Sequence, residues 1–137
     1  MPAIDSCEPQ IIRALQKAGW DVIDKTLPIQ LEPKRVVYAD LRLQHTRDGQ
    51  QIIVVEIKCF LATRPLLDEF YHAVGQYLFY RDALTLRDIH IPIYLAIPAK
   101  IHQTLFQRLS VHTTVRNAKI KLIVVDLVTE EVVSWID

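Results

Sequence analysis

The spacing of hydrophobic positions changes along the chain, and each change marks an element. Ile11, Ile12, Leu15 and Ala18 recur at helical spacing, and Gly19 is placed to end that helix in the left-handed conformation before Trp20. Residues 22–31 alternate only weakly and carry Pro28, with Pro33 just beyond, which predicts an edge strand. Two strongly apolar stretches at about 36–44 and 51–59, separated by the turn signal Arg47-Asp48-Gly49, predict a hairpin and complete a three-stranded meander. Pro65, Asp68 and Glu69 suit a helix amino terminus. From there Leu67, Phe70, Tyr71, Val74, Tyr77, Leu78 and Ala83 keep helical spacing to about Arg87, predicting the longest helix. The pattern then predicts a strand over 90–97, a third helix over 99–109, a strand over 119–126 and a closing segment over 131–136. No repeat, linker or low-complexity segment interrupts this order.

The register of the hairpin follows from its residues. With a three-residue loop at Arg47-Asp48-Gly49 and Gly49 in the left-handed region, Thr46 and Gln50 are the last paired residues and Asp40 faces Glu56. The same register sets Val37 against Cys59, Ala39 against Ile57, Leu41 against Val55 and Leu43 against Ile53, so one face is wholly apolar. The other face carries Tyr38/Lys58, Asp40/Glu56, Arg42/Val54 and Gln44/Ile52. A two-residue Asp48-Gly49 loop would oppose Leu41 to Glu56 and destroy that sorting, so the three-residue loop is preferred.

Charge at this place needs a reason. Glu56 and Lys58 end the run Ile52-Ile53-Val54-Val55, which reads as a strand buried on both faces; an unpaired charge there costs on the order of several kcal/mol. Two opposed carboxylates also repel unless a proton or cation sits between them. A hard metal resolves the conflict. Mg²⁺ is usually held by one or two carboxylates plus water and phosphate oxygens, so Asp40 and Glu56, with the main-chain carbonyl of Ile57, suffice as protein ligands for Mg²⁺ or Mn²⁺. Lys58, on the same face, can orient or deprotonate an attacking water and offset charge on phosphorus. As a bare pattern, acid, gap, acid-x-Lys arises often by chance, and a solvated Glu-x-Lys pair on an edge strand is the plain alternative. The apolar setting and the register favour the site.

Composition bounds the rest. A chain of 137 residues, half of them hydrophobic, is long enough for one well-buried core and too short for two ordinary domains, so residues 1–137 are read as a single domain. Cys7 and Cys59 lack metal-type spacing and read as reduced thiols of a soluble, cytoplasmic protein. Met1-Pro2-Ala3-Ile4-Asp5 does not resemble a signal peptide, and no apolar run has membrane-spanning length. The five histidines are isolated, which argues against zinc. Tyr71, Tyr77 and Tyr80 are expected to pack the long helix onto the sheet, and Gly75 within it suggests close approach of another backbone.

Sixteen basic residues balance sixteen acidic ones, which argues against coating nucleic acid non-specifically. Their distribution is uneven. Residues 89–125 contain no Asp or Glu, while Lys100, Arg108, Arg116, Lys119 and Lys121 are candidates for a local DNA-binding face. Whether these cations share a face or scatter over the surface is open at this level.

Helix, three strands, helix, strand is the order of the PD-(D/E)XK nuclease core, with Asp40 and Glu56-Ile57-Lys58 on its second and third strands. Met1-Pro2-Ala3 followed by Asp5, Ala14-Leu15 with Gly19-Trp20, Val55-Glu56-Ile57-Lys58, Gly75-Gln76-Tyr77 with Tyr80, Tyr94-Leu95-Ala96-Ile97-Pro98 and Trp135-Ile136 narrow the match. Over essentially its whole length the chain resembles the XisH family, cyanobacterial proteins named as controlling factors for excision of the fdxN DNA element. The resemblance implies a restriction-endonuclease-like α/β fold with a mixed central sheet flanked by helices, a place in programmed DNA rearrangement, and a small XisI-type partner. By the superfamily pattern Asp40 and Glu56 are metal ligands, Lys58 is the catalytic lysine, and Gln76 contacts the active-site water or phosphate. The chain departs from the family at Arg42-Leu43-Gln44, where Gly-Ala-Glu is common, at Cys59 for Ser, at Glu8 for His, and in a shorter hairpin loop. Glu8 on the first helix is an additional candidate for the site.

Metal-dependent endonuclease is the leading reading. The alternatives are a non-catalytic accessory factor that controls a separate recombinase, which zero net charge favours, and one half of a toxin–antitoxin pair. A mean hydropathy of +0.15 suggests an apolar patch on the long helix or the terminal strand, for an XisI-type partner or a second copy.

Overall fold

A computed structural model describes residues 7–137. Met1-Pro2-Ala3, Asp5 and the rest of the segment read for a signal peptide lie outside the described residues. The elements in order are α1 (Glu8–Lys17), β1 (Trp20–Glu32), β2 (Arg35–His45), β3 (Ile52–Ile57), α2 (Leu66–Leu86), β4 (Ile93–Pro98), α3 (Ala99–Gln103), a 3-10 turn (Leu105–Gln107), α4 (Leu109–Asn117), β5 (Leu122–Asp126) and β6 (Glu131–Ile136). The strands form one six-stranded sheet in sequence order. β1, β2 and β3 pair antiparallel, β3, β4 and β5 pair parallel, and β6 returns antiparallel to β5. Each parallel step carries its helical crossover, as parallel neighbours require.

Helices cover both faces. On one, Ile11, Ala14 and Leu15 of α1 pack on Leu41, Leu43, Ile53, Val55 and Ile57, with Ala96, Ile123 and Val125 beside them. On the other, Phe70, Ala73, Tyr77 and Tyr80 of α2 and Val111 and Val115 of α4 cover Val54, Leu95, Ile97, Leu122 and Val124. The central strands are therefore apolar on both sides, as a parallel core demands. Tyr77 ties the layers together: its hydroxyl donates to Ile93 O at 2.8 Å and accepts from Lys121 N at 3.1 Å. Among the described residues no helix is long and apolar enough to cross a membrane.

The hairpin adopts the expected register, with Leu41 opposite Val55, Arg42 opposite Val54 and Leu43 opposite Ile53. Its loop is longer than expected. His45 N donates to Gln51 O at 2.9 Å, so pairing closes there and Thr46 and Gln50 are not paired. The His45 imidazole nitrogen Nδ1 takes the amides of Arg47 and Asp48, each at 3.2 Å, and Asp48 Oδ1 takes Gln50 N at 3.0 Å, so side chains satisfy the turn. Gly49 does not have positive φ. The side chain of Gln44 reaches over Gly49 to donate to its carbonyl, and a Cβ there would stand 2.9 Å from Gln44 Nε2, so a larger residue would have to displace that amide.

Other expectations are corrected too. Cys7 and Cys59 are joined in a disulfide, with Cα atoms 5.8 Å apart, and are not free thiols. The packing of α1 on β3 brings together two cysteines whose sequence spacing carries no such information. The helix expected over 99–109 is α3 and the 3-10 turn, and α4 follows it unanticipated. The sequence of α4, LSVHTTVRN, is poor in strong helix formers, and burial of Val111 and Val115 overrides that propensity. Gly75 faces open space, with nothing within 4 Å of where a Cβ would stand, so no backbone approaches it. Tyr71 is 62% exposed and does not pack on the sheet.

Candidate functional site

At Asp40 the main-chain ladder between β2 and β3 gives way to side chains. The amide of Asp40 donates to Glu56 Oε1 at 2.8 Å, and the amide of Ile57 donates to Asp40 Oδ2 at 2.8 Å. Each carboxylate thus accepts an amide of the opposite strand, where a carbonyl would ordinarily accept it. The expected apolar sorting breaks at this level. Leu41 and Leu43 join Ile57 and Cys59 under α1, but Ala39 joins Ile29 and Val37 in the core under α2. Two amides thus fix the carboxylates against two strands.

One stripe of α2 flanks them. Glu69, His72, Gln76 and Tyr80 follow one another at three- and four-residue steps, the spacing of one helix face. Glu69 Oε2 lies 2.7 Å from Lys58 Nζ, His72 Nδ1 lies 3.2 Å from the same nitrogen, and Arg64 Nε stands 3.9 Å from Glu69 Oε1. Glu56, Lys58 and Glu69 are all buried. Burial raises the pKa of the Tyr80 phenol, and the negative charges of Glu56 and Asp40 raise it further, against a hydrogen bond from Gln76 that lowers it. Tyr80 therefore senses both carboxylates.

The expected site residues divide into two groups. Asp40 and Glu56 come together, with the Ile57 amide held by Asp40 and the Ile57 side chain under α1; Lys58 pairs with Glu69 and His72, and Gln76 lies on the α2 stripe beside Tyr80. Glu8 opens α1 directly after Cys7, which is bonded to Cys59 beside Lys58, so the start of α1 is anchored at this end of β3. Of the five cations, three share one cleft. Arg116, Lys119 and Lys121 line a cleft by α4 and β5, whose lining includes neither Lys100 nor Arg108. Glu69, His72 and Tyr80 were not anticipated. Their signal was present as polar positions at helical spacing along one face of α2.

The donors suit a hard divalent cation. Both side chains offer carboxylate oxygen, and among the described residues no group of three or more His, Cys, Asp or Glu gathers into a metal cage. Two carboxylates completed by water are what Mg²⁺ commonly takes from a protein.

Residues 1–133 match the family described as XisH protein. The fold is similar to the crystal structure of an XisH family protein from Nostoc punctiforme, at 28% identity and a TM-score of 0.85, over 96% of this chain and 100% of that one. It is equally similar to that of a fdxN element excision controlling factor protein from Anabaena variabilis, at 29% identity and a TM-score of 0.86, over 97% and 100%. No curated protein matches significantly. A family match across nearly the whole length, with the same fold in two of its members, makes this chain a member of the XisH family.

Proposed function

We propose that the chain acts on DNA during programmed excision of a DNA element, through a PD-(D/E)XK-type site that hydrolyses phosphodiesters with Mg²⁺ or Mn²⁺. One observation carries this reading: Asp40 and Glu56 meet on adjacent strands, each held by an amide of the other strand, with Lys58 two residues beyond Glu56. The relative from Anabaena variabilis, described as a fdxN element excision controlling factor, supports the biological setting.

Asp40 and Glu56, with the carbonyl of Ile57, would hold the cation. A bound divalent ion supplies charge neutralisation at the phosphate and makes water more acidic. Lys58 places positive charge beside the phosphate, Glu69 and His72 fix its ammonium, and Gln76 orients water or a phosphate oxygen. Nicking of a double strand on both sides requires two such sites, supplied by a second copy or by an XisI-type protein. The exposed Leu67, Tyr71 and Phe79 along α2 support a partner surface there.

A second reading, an accessory factor without catalysis, is favoured by the Lys58–Glu69 pair, which already neutralises the lysine. Calorimetric titration with Mg²⁺ and Mn²⁺, wild type against Glu56→Gln, together with a nicking assay on supercoiled, linear and branched DNA, separates the two. Metal-dependent nicking lost in Asp40→Ala, Glu56→Ala and Lys58→Ala supports the nuclease. Metal binding that leaves every DNA form intact assigns the accessory role.

A further inference from the structure

Three cations surround a cleft with an apolar floor. Phe106, Val115, Ile120, Leu122 and Ile136 form the floor of a cavity of about 580 Å³ between α3, α4, β5 and the end of β6. Arg116, Lys119 and Lys121 line it together with His102 and His112, and the one carboxylate in the lining, Asp137, accepts a hydrogen bond from the Tyr94 hydroxyl at 2.9 Å. That volume falls in the range of small-molecule sites, roughly 300–1,000 Å³. The acid-free stretch 89–125 leaves these cations without acidic sequence neighbours.

The rim is held in place. Lys119 has φ +55°, a conformation that favours glycine, at the carboxyl end of α4. Arg81 of α2 donates to Ala118 O at 2.8 Å and Lys119 O at 3.3 Å, and Ile120 N donates to Val115 O at 3.0 Å, so α2 and the last turn of α4 fix the backbone that carries Lys119. Burial, and then the charge of His112, lower the pKa of His102, so this imidazole is neutral near pH 7 and can donate or accept a hydrogen bond.

We propose that this cleft is a binding site for an anion carrying an apolar body, an aromatic or acyl phosphate or carboxylate of about nucleotide size. The apolar floor takes the body, and Arg116, Lys119 and Lys121 take the anionic head. None of the cleft residues belongs to the Asp40–Glu56 site, so the two stand or fall separately.

Titration of the full chain with 1-naphthyl phosphate, 1-naphthoate, 1-naphthol and inorganic phosphate, followed by fluorescence and calorimetry, tests this. The expected result is saturable one-to-one binding of naphthyl phosphate or naphthoate, at least about tenfold tighter than naphthol or inorganic phosphate, with the preferred head naming the natural class. Arg116→Glu and Lys119→Glu, both at exposed positions that leave the fold intact, each weaken it by about tenfold or more, and Glu56→Gln leaves it unchanged. Equal binding of naphthol, no effect of either charge reversal, or no saturable binding overturns the proposal. Displacement of the bound probe by short duplex DNA, with DNA affinity lost in both charge reversals, also overturns it and returns these cations to a DNA-binding face.

Discussion

The Lys58 ammonium and the Glu69 carboxylate, from β3's exit and the first turn of α2, meet at 2.7 Å with side chains only 11% and 5% exposed. Each charge is tolerable in the interior because of the other, and His72 gives the ammonium a second partner. Glu69→Ala is expected to destabilise the fold by about 3–5 kcal/mol, because it leaves a buried cation without its counter-charge. The double substitution Lys58→Met/Glu69→Leu should recover most of that loss. Urea unfolding of the wild type, Lys58→Met, Glu69→Leu and the double gives the coupling directly; additive single effects would show that the pair does not act as a unit.

The Cys7–Cys59 bond closes a loop with a sequence separation of 52. Loop-closure entropy of the unfolded chain then gives a stabilisation of about 4 kcal/mol. Unfolding in urea with and without dithiothreitol should show a lower midpoint for the reduced protein, and Cys59→Ser should match the reduced wild type in either buffer. A midpoint unmoved by reductant in the wild type contradicts this expectation.

Gly75 sits inside α2 with open space where a Cβ would be. Gly75→Ala should stabilise the protein by about 1 kcal/mol through helix propensity alone. Thermal denaturation reads the shift, and a loss of stability would mean that the glycine serves a contact beyond this chain.

His102 is held below its ordinary pKa of 6.5 by burial first and by His112 second. Its unfolded form binds a proton more readily than its folded form. The stability linked to it is therefore complete above pH 6.5 and is lost as pH falls through the lower folded-state value. Arg116, Lys119 and Lys121 in the same cleft oppose a further positive charge. Chemical denaturation between pH 7.5 and 4.5 (test conditions spanning roughly the histidine range) should give a shallower acid limb for His102→Gln than for wild type.

Local pattern alone was enough to set the β2–β3 register from Leu41/Val55 to Gln44/Ile52, next to which Asp40 and Glu56 meet. A period of two leaves one register that puts Leu41, Leu43, Ile53, Val55 and Ile57 on one face, and a slip by one residue would break up that shared face. The same logic found Gly19, whose φ of +94° ends α1, and the long α2. Relations between residues distant along the chain carry no such period. The packing of α1 on β3 joined Cys7 to Cys59, the passage of α2 over the strand ends set Glu69 on Lys58, and α4 became helical because Val111 and Val115 had a core to enter. Hydrophobic spacing encodes which face of an element is buried; which polar groups that burial then presses together depends on where the elements dock, and only the tertiary structure decides it.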